Sequence, residues 1–480
     1  MIGLSAALVL AAAAAGMLAS HPGLPSYLVT AAAAIMVAAV IFAYDLAAVL
    51  IGWIAVEGIA YPFIRFPPHH DIATLDRFVI LALGAALLFT PTQRLPRESR
   101  RLGWAFAIFA AVYGVRAVLT HQLPLPSGPN GGPLSVYQPE ASWLDDALLP
   151  CIVFFVAART MTNMRWRTAA KAFIVLGTSV GLLGIMEWAF GFELATLSGH
   201  QPYIDPGAGV IRAGGPYADP LGYGAVLIIC IAVTLYWLQT QKARGVAAAA
   251  LGIQLVALGP TYTKTVWAAA LVAIIIAVGL RRRMSSRTLF VAIAVAVIAF
   301  VLYSFAQSSS AVSTRTSASV TSNNALGRVD DYVEGFQVVK QHYLAGVGVG
   351  NFGPAEQLVP SVTIGNVSTN VAAAHDTFLA VLGEVGLVGF IPLIWLVYSG
   401  AGVIRASRRY ATTAEEIIFG AAVLAASVGY LILSLPFNEL LESPPTILLA
   451  LLWGAAAARL RAREPGVISQ AQPSIESSPA

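Results

Sequence analysis

The sequence contains few charged residues and only two cysteines. Charged side chains make up 11% of the 480 residues, whereas apolar side chains make up 58%. A water-soluble chain of this length has too little core to bury so much apolar surface, so the composition indicates a membrane protein. Cys151 and Cys230 lie inside apolar runs, without a CxxC pair or a neighbouring histidine. They are therefore predicted to be packing residues, not members of a disulfide or a metal site.

Several signatures of other protein classes are also missing. The net charge is only +4, and Lys and Arg occur in short clusters between apolar runs, which disfavours nucleic-acid binding. The histidines show no HExxH or HxH spacing, and the pairs Asp145-Asp146 and Asp330-Asp331 are adjacent instead of DxD. No divalent metal is therefore expected. The chain also lacks the GxSxG element of a serine hydrolase.

Apolar runs of about 17 to 25 residues, long enough to cross a bilayer, recur along the chain. The first run begins without the basic residues of a signal peptide and is counted as a span. Two places are ambiguous: the stretch 27–62, split only at Tyr44-Asp45, and Gly259-Pro260, where two short runs also fit one re-entrant hairpin. The sequence thus predicts an all-α polytopic membrane protein with about 12 to 14 transmembrane helices. The runs lie near 3–20, 27–44, 46–62, 74–91, 103–119, 144–159, 168–190, 219–239, 246–262, 265–280, 288–305, 376–402, 413–435 and 445–460.

The basic residues predict how these spans are oriented. If the spans alternate, most of the 28 Lys and Arg fall in clusters on one side, and the positive-inside bias makes that side, with both termini, cytoplasmic. All seven histidines and the remaining basic residues map to the outer side, so chemistry is expected there. The clusters lie at 94–101, 159–171, 242–244, 281–287, 405–409 and 459–463. The remaining basic residues are Arg65, Arg77, Arg116, Arg212, Lys264, Arg315, Arg328 and Lys340.

The longest outer connection, residues 306–374, divides the chain. Transmembrane helices with short loops are predicted over 1–305 and transmembrane helices again over 375–462, followed by a disordered cytoplasmic tail, 463–480. The connection itself is predicted to contain a Ser/Thr-rich start, an amphipathic helix suited to a membrane surface, and a glycine-rich turn. The apolar face predicted for that helix consists of Val329, Tyr332, Val333, Phe336, Val339 and Tyr343.

Two motifs close this connection. Gly348, Gly350 and Gly353 match GxGxxG, but a nucleotide site needs a preceding strand, and here the motif follows a predicted helix on the outer side. We therefore predict a turn that brings the backbone close to helices. His375 begins the next membrane helix, where the helix dipole favours the neutral imidazole that a general base needs. A lone histidine at an interface is more often an anchor or a solvated cap; Asp376 is expected to cap the same helix.

Arg212 and Lys264 are cations at the predicted outer membrane edge. Such residues usually extend to lipid headgroups. Several such cations together instead indicate the path of an anionic substrate. Arg328 and Arg315 are assigned to the same group.

Taken together, these segments resemble the O-antigen ligase / O-antigen polymerase family of bacterial polytopic membrane glycosyltransferases. Asp376 stands where the family usually has Asn, and Lys264 stands where it commonly has a Ser-Arg pair, which keeps the charge and loses the guanidinium fork. Glu384 and the glycines after it match as well and are interpreted as packing positions. The resemblance is carried by Arg328-Val-Asp-Asp-Tyr332, Gly346-Val-Gly-Val-Gly-Asn-Phe352, His375-Asp-Thr-Phe-Leu379, Glu384-Val-Gly-Leu-Val-Gly389 and, upstream, Arg212-Ala-Gly-Gly-Pro-Tyr-Ala-Asp-Pro220.

The resemblance implies a GT-C-like fold and a metal-independent, inverting glycosyltransferase of the bacterial cytoplasmic membrane that needs no cofactor. It would move a glycan from undecaprenyl diphosphate to an acceptor hydroxyl at the outer face. Without Mg²⁺, the charge of the departing diphosphate must be balanced by Arg or Lys. The resemblance assigns His375 as the base or acceptor-orienting residue and Arg212 and Arg328 as catalytic, diphosphate-binding residues, with Lys264 and Arg315 also binding the diphosphate.

The partners implied are an undecaprenyl-diphosphate-linked glycan donor, a glycan or lipid A-core acceptor, and membrane lipids. The acceptor stays open between lipid A-core, a growing lipid-linked polymer and a protein. A transporter or flippase for an anionic lipid-linked sugar is the alternative from another class. Its ionisable residues should lie near the bilayer midplane on broken helices in matching halves, whereas here they gather at the outer edge.

Overall fold

The computed structural model describes residues 45–64, 75–90, 94–120, 139–191, 212–217, 219–242, 244–280, 332–356, 359, 376–435 and 443–463. Within these ranges all regular secondary structure is helical, which confirms the all-α prediction. Helix α4 contains one π-helical turn, at Leu144–Leu148. The helices are α1 Leu46–Ile64, α2 Leu75–Leu88, α3 Arg97–Thr120, α4 Pro139–Thr160, α5 Asn163–Phe190, α6 Pro220–Thr240, α7 Gly245–Leu258, α8 Lys264–Gly279, α9 332–342, α10 Phe352–Glu356, α11 Thr377–Arg409, α12 Ala414–Ser434 and α13 Pro445–Arg461.

Six of these helices, α3 to α6, α11 and α12, are long and apolar enough to cross a membrane by length and composition. The prediction of a polytopic membrane protein is therefore confirmed. Helices α1, α2, α7 and α8 contain shorter apolar segments. The spans predicted near 3–20, 27–44 and 288–305 lie outside the described residues, so the total number of spans stays a prediction.

The described helices alternate in direction between two ends of a bundle. At one end, named here the basic end, Arg165 pairs with Asp45 at 2.5 Å and Arg167 pairs with Glu415 at 2.8 Å. Tyr236 donates to the same Glu415 carboxylate at 2.8 Å. These contacts bring together the starts of α1, α5 and α12 and the end of α6. Basic clusters that the sequence places on one side of the membrane thus meet in space.

Helices α7 and α8 are antiparallel helices joined by a 3₁₀ turn, Gly259–Thr261. The Gln239 side chain, near the end of α6, donates to the Ala277 carbonyl near the end of α8 at 3.3 Å. Both α7 and α8 therefore extend between the basic end and the opposite end. The structure has two helices here, of 14 and 16 residues, and the choice between two spans and one re-entrant hairpin stays a prediction. Pro260 lacks a backbone donor, which favours the break at this point.

Helix α6 occupies the centre of the bundle. It is apolar on all sides and almost entirely buried, as is typical of a helix surrounded by other helices. It begins at the end opposite the basic end, directly after the segment that carries Arg212. The central helix thus fixes where that segment enters the bundle.

Candidate active site

Arg212 is held by the turn between α7 and α8. Its side chain is buried, with 7% of the residue exposed. Its Nε donates to the Thr261 carbonyl at 3.0 Å, and its guanidinium also donates to Thr263 Oγ1. The next residue, Ala213, donates its N–H to the Pro260 carbonyl at 3.0 Å. These two bonds direct the guanidinium, and its charge also acts on the nearby Asp219 carboxyl.

Lys264 begins α8 immediately after this turn and is exposed. The structure therefore brings Arg212 and Lys264, which are far apart in the sequence, to one place. Tyr262, between Thr261 and Thr263, adopts a positive φ of 48°, an uncommon conformation for a non-glycine residue, and its hydroxyl accepts from Trp188 Nε1 at 2.9 Å. We name residues 212–219 and 259–264 the arginine corner.

Two buried acids that the sequence analysis missed hold the segment after Arg212. The Glu187 carboxylate accepts the N–H groups of Gly214 and Gly215 at 3.1 and 2.6 Å. The Glu57 carboxylate accepts the Tyr217 hydroxyl at 2.8 Å. Both acids lie inside apolar runs, and this is the signal that should have marked them, because ionisable residues within membrane segments are costly and usually have a role. Here Glu187 fixes the backbone at Gly214 and Gly215, and Glu57 fixes the Tyr217 side chain.

Asp219 ends the same segment as the N-cap of α6. Its carboxylate accepts the N–H groups of Leu221 and Gly222 at 2.9 and 2.5 Å, which satisfies two donors of the first helical turn. Burial raises the pKa of the Asp219 carboxyl above its usual range, whereas the hydrogen bond from Gly222 and the charge of Arg212 act to lower it. The family-like segment is thus a short connection fixed at both ends.

The glycine-rich turn packs into a break in α11. At Gly386 the backbone leaves the helical conformation, with φ of 65°. The break frees two amides, and the N–H groups of Leu387 and Val388 donate instead to the carbonyls of Tyr343 and Leu344 at 2.8 and 3.3 Å. Every buried backbone group freed by a helix break needs a new partner in a bundle of this kind, and the segment before the glycines supplies it.

Four consecutive amides of the glycine turn have partners within the protein. The N–H groups of Val347 and Gly348 donate to the carbonyls of Gly383 and Glu384 at 2.8 and 2.9 Å. The next two N–H groups donate to Thr120 Oγ1 at 2.9 Å and to Glu384 Oε1 at 3.0 Å. A phosphate-binding loop presents such amides to its ligand. The predicted docking turn is confirmed, and these four amides are occupied by protein oxygens.

Glu384 joins three elements and is more than a packing position. Besides the amide of Gly350, its carboxylate accepts the hydroxyl of Tyr113, on α3, at 3.0 Å. On the same helix Arg116 donates to the Gly346 carbonyl at 3.3 Å. The sequence interpretation missed the contact between Glu384 and Tyr113 because the two residues lie 271 positions apart in the chain. We name residues 343–352 and 383–388 the glycine corner.

Asp376 caps α11, as predicted. Its Oδ1 accepts the N–H groups of Phe378 and Leu379 at 2.7 and 3.0 Å. The hydroxyl of Tyr332, at the start of α9, donates to Asp376 Oδ2 at 3.3 Å, and it lies 3.0 Å from the Leu435 carbonyl at the end of α12. The beginnings of α9 and α11 are therefore in contact. His375, Arg328 and Arg315 lie outside the described residues.

The amphipathic helix is present as α9. Val338 and Val339 are buried, in a cluster with Phe352 of α10 and the first turn of α11. Phe336 and Tyr343, which were assigned to the apolar face, are 59% and 52% exposed. One side of the helix thus packs on the protein, and contact of the exposed apolar side chains with a membrane surface stays a prediction.

Cys151 and Cys230 are buried and free, which confirms that they are packing residues. Among the described residues, no group of three or more His, Cys, Asp or Glu side chains is placed to hold a metal ion.

Residues 247–394 match the sequence profile of a family described as O-antigen ligase. The matched stretch includes Lys264, the glycine corner and positions 328 and 375, whereas Arg212 lies before it. Comparison with curated proteins finds no match to this chain. The family match supports an enzyme of the bacterial inner membrane that uses a lipid-linked glycan donor and a glycan acceptor. The chain is thus a multi-pass membrane protein with a domain of the O-antigen ligase family, and the family resemblance carried by its motifs is confirmed.

Proposed function

We propose that this protein transfers a glycan from undecaprenyl diphosphate to an acceptor hydroxyl at the outer face of the cytoplasmic membrane. The observation that carries the proposal is the geometry of Arg212. A buried guanidinium positioned by the Thr261 carbonyl and the Thr263 hydroxyl, beside the exposed Lys264, places two cations at one end of the bundle. A diphosphate that departs without Mg²⁺ needs such charge, positioned before the reaction begins.

The proposed reaction is a single displacement with inversion at the sugar. The acceptor hydroxyl oxygen attacks the anomeric carbon, and the bond from that carbon to the diphosphate oxygen breaks. His375 receives the hydroxyl proton or orients the hydroxyl. Arg212 and Arg328 stabilise the departing diphosphate, and Lys264 and Arg315 assist. No metal takes part in the proposed step.

The contact between α9 and α11 supports the placement of the two residues that lie outside the described ranges. Tyr332 contacts Asp376 at 3.3 Å. Arg328 precedes Tyr332 by four residues, and His375 directly precedes Asp376. The described residues next to these two positions therefore meet, as a shared site requires.

The predicted orientation places this site outside. Arg167 and Arg463, from two Arg-rich segments, pair with the neighbouring acids Glu415 and Glu416 at the basic end, and the positive-inside bias makes such an end cytoplasmic. The arginine and glycine corners lie at the opposite end of the same helices. A flippase remains the competing proposal, and its ionisable residues would be expected near mid-membrane.

The decisive experiment is transfer by the purified full chain in lipid vesicles, with an undecaprenyl-diphosphate oligosaccharide and a lipid A-core or glycan acceptor. His375→Ala is expected to abolish transfer and leave membrane insertion intact. The exposed His342 of α9 provides the matched control, and His342→Ala should keep nearly full activity. Full activity of His375→Ala would remove the proposed base.

Gels of the lipopolysaccharide and surface glycans from a strain that lacks this protein distinguish between the possible acceptors. Unattached polymer on the carrier indicates a ligase, and glycans of a single repeat indicate a polymerase. Unchanged glycans would contradict both. Movement of intact donor across vesicle membranes without transfer would favour the flippase.

A further inference from the structure

The largest cavity among those described lies at the basic end, far from both polar corners. It has a volume of about 550 Å³, within the range of small-molecule sites. Its walls are the second halves of α11 and α12, and Trp453 of α13 forms part of it. Most of the lining is aliphatic. The cavity lies between the two helices of a hairpin.

Three arginines near the end of α11 line this cavity: Arg405, Arg408 and Arg409. Among the described residues no acid pairs with Arg405 or Arg408, while the guanidinium of Arg409 lies over the Tyr410 ring.

Neighbouring basic residues at the same end behave differently. Arg165, Arg167 and Arg463 each pair with a carboxylate, those of Asp45, Glu415 and Glu416. By contrast, Arg97 and Arg100 at the same end also pair with no acid among the described residues. What distinguishes Arg405 and Arg408 is that they line a cavity with an apolar interior.

The polar groups deeper in the cavity are already used. Ser427 donates to the Val423 carbonyl at 2.8 Å and accepts Trp453 Nε1 at 2.9 Å. The Tyr430 hydroxyl shares a hydrogen bond of 2.9 Å with Thr446. A ligand would therefore find an apolar interior and cationic groups at one end only. This is the chemistry of a lipid chain attached to an anionic headgroup.

We propose that this cavity binds an anionic phospholipid of the inner leaflet, with an acyl chain between α11 and α12 and the phosphate against Arg405 and Arg408. Basic pockets between membrane helices on the cytoplasmic side recognise such headgroups, and each basic residue near an anionic surface contributes about 1 kcal/mol. The site is separate from the transfer chemistry and does not depend on it.

The test is native mass spectrometry of the detergent-purified full chain, with counts of retained phosphatidylglycerol. Arg405→Gln combined with Arg408→Gln removes two such contributions and should lower the retained fraction up to about thirtyfold. Ala401→Trp fills the cavity, leaves both arginines in place and should lower retention similarly. The control is Arg97→Gln combined with Arg100→Gln, which removes the same charge from exposed positions at the same end and should retain lipid like the wild type.

Equal retention in all four proteins would overturn the proposal, and it is also the result expected if another segment of this chain fills the cavity. A second measurement needs no variant. Wild-type protein exchanged into mixed vesicles should take up phosphatidylglycerol about fivefold more than phosphatidylcholine. Equal uptake of the two lipids would contradict the role of the arginines.

Discussion

The arginine corner and the glycine corner both lie at the end of the bundle away from the basic end, but their hydrogen bonds serve different purposes. In the arginine corner the Arg212 side chain donates to a carbonyl and a hydroxyl of the turn between α7 and α8, which fix the direction of the guanidinium. In the glycine corner the amides and the Glu384 carboxylate satisfy each other and a helix break. The first arrangement suits a group that acts on a ligand. The second suits a structural joint, in which the segment 343–352, α3 and the first part of α11 are held together.

The largest expected effect is on catalysis in the arginine corner. Arg212→Ala should lower kcat for transfer about 100- to 1,000-fold, because a fixed cation at the departing diphosphate is lost. Arg212→Lys should recover only part of this, since an ammonium keeps the charge but not the two directed donors. The assay is glycan transfer in vesicles. Lys340→Ala, at an exposed position of α9, is the control for charge loss; equal losses in both variants would show that only net charge matters.

The next largest effect is expected when a glycine of the glycine corner is substituted, and it should be a loss of stability. An added Cβ at Gly386 would lie 2.3 Å from the Leu344 carbonyl oxygen, at a φ of 65°. Gly386→Ala should therefore lower stability by about 1–3 kcal/mol, measured as a drop in Tm of the purified protein. Gly402→Ala, in the same helix with open space at its Cβ, is the control and should be neutral or slightly stabilising. An unchanged Tm in Gly386→Ala would contradict the joint.

The contact between α3 and the glycine corner should appear as an energetic coupling. Tyr113→Phe and Glu384→Gln each disturb the 3.0 Å hydrogen bond between them. A double-mutant cycle on unfolding should give a coupling of about 0.5–3 kcal/mol, as is usual for groups in direct contact. Strictly additive effects of the two substitutions would mean that the bond contributes nothing to the joint.

The smallest effect concerns the cap of α11. Asp376→Ala should cost about 1 kcal/mol because two amides lose their acceptor, whereas Asp376→Asn should lie within a few tenths of the wild type. Unfolding in detergent measures this. Transfer activity of Asp376→Asn should stay near that of the wild type, and a large loss there would give Asp376 a role beyond the cap.

Much of the fold was predictable because apolar runs of membrane length have few alternatives to the helix. The predicted runs match the described helices, although helix ends such as Arg97 and Asn163 extend into polar residues that a hydrophobicity pattern omits. The cap at Asp376 and the docking role of the glycine turn were also predictable, since both depend on local chemistry. The side of α9 that packs on the protein was not, because the cluster that buries Val338 includes residues of α10 and α11, which are distant from α9 in the local helical pattern.

The sequence by itself determined the class, the number of long apolar runs, the clustering of basic residues and the family. These depend on composition and local spacing, which any reader of the chain can see. Only the tertiary structure decided that Arg212 rests on the turn before Lys264, that Glu57 and Glu187 hold its segment, and that Glu384 meets Tyr113. The reason is physical: a polar group in an apolar bundle must find a partner, and that partner is chosen by proximity in space, which spacing along the chain does not record.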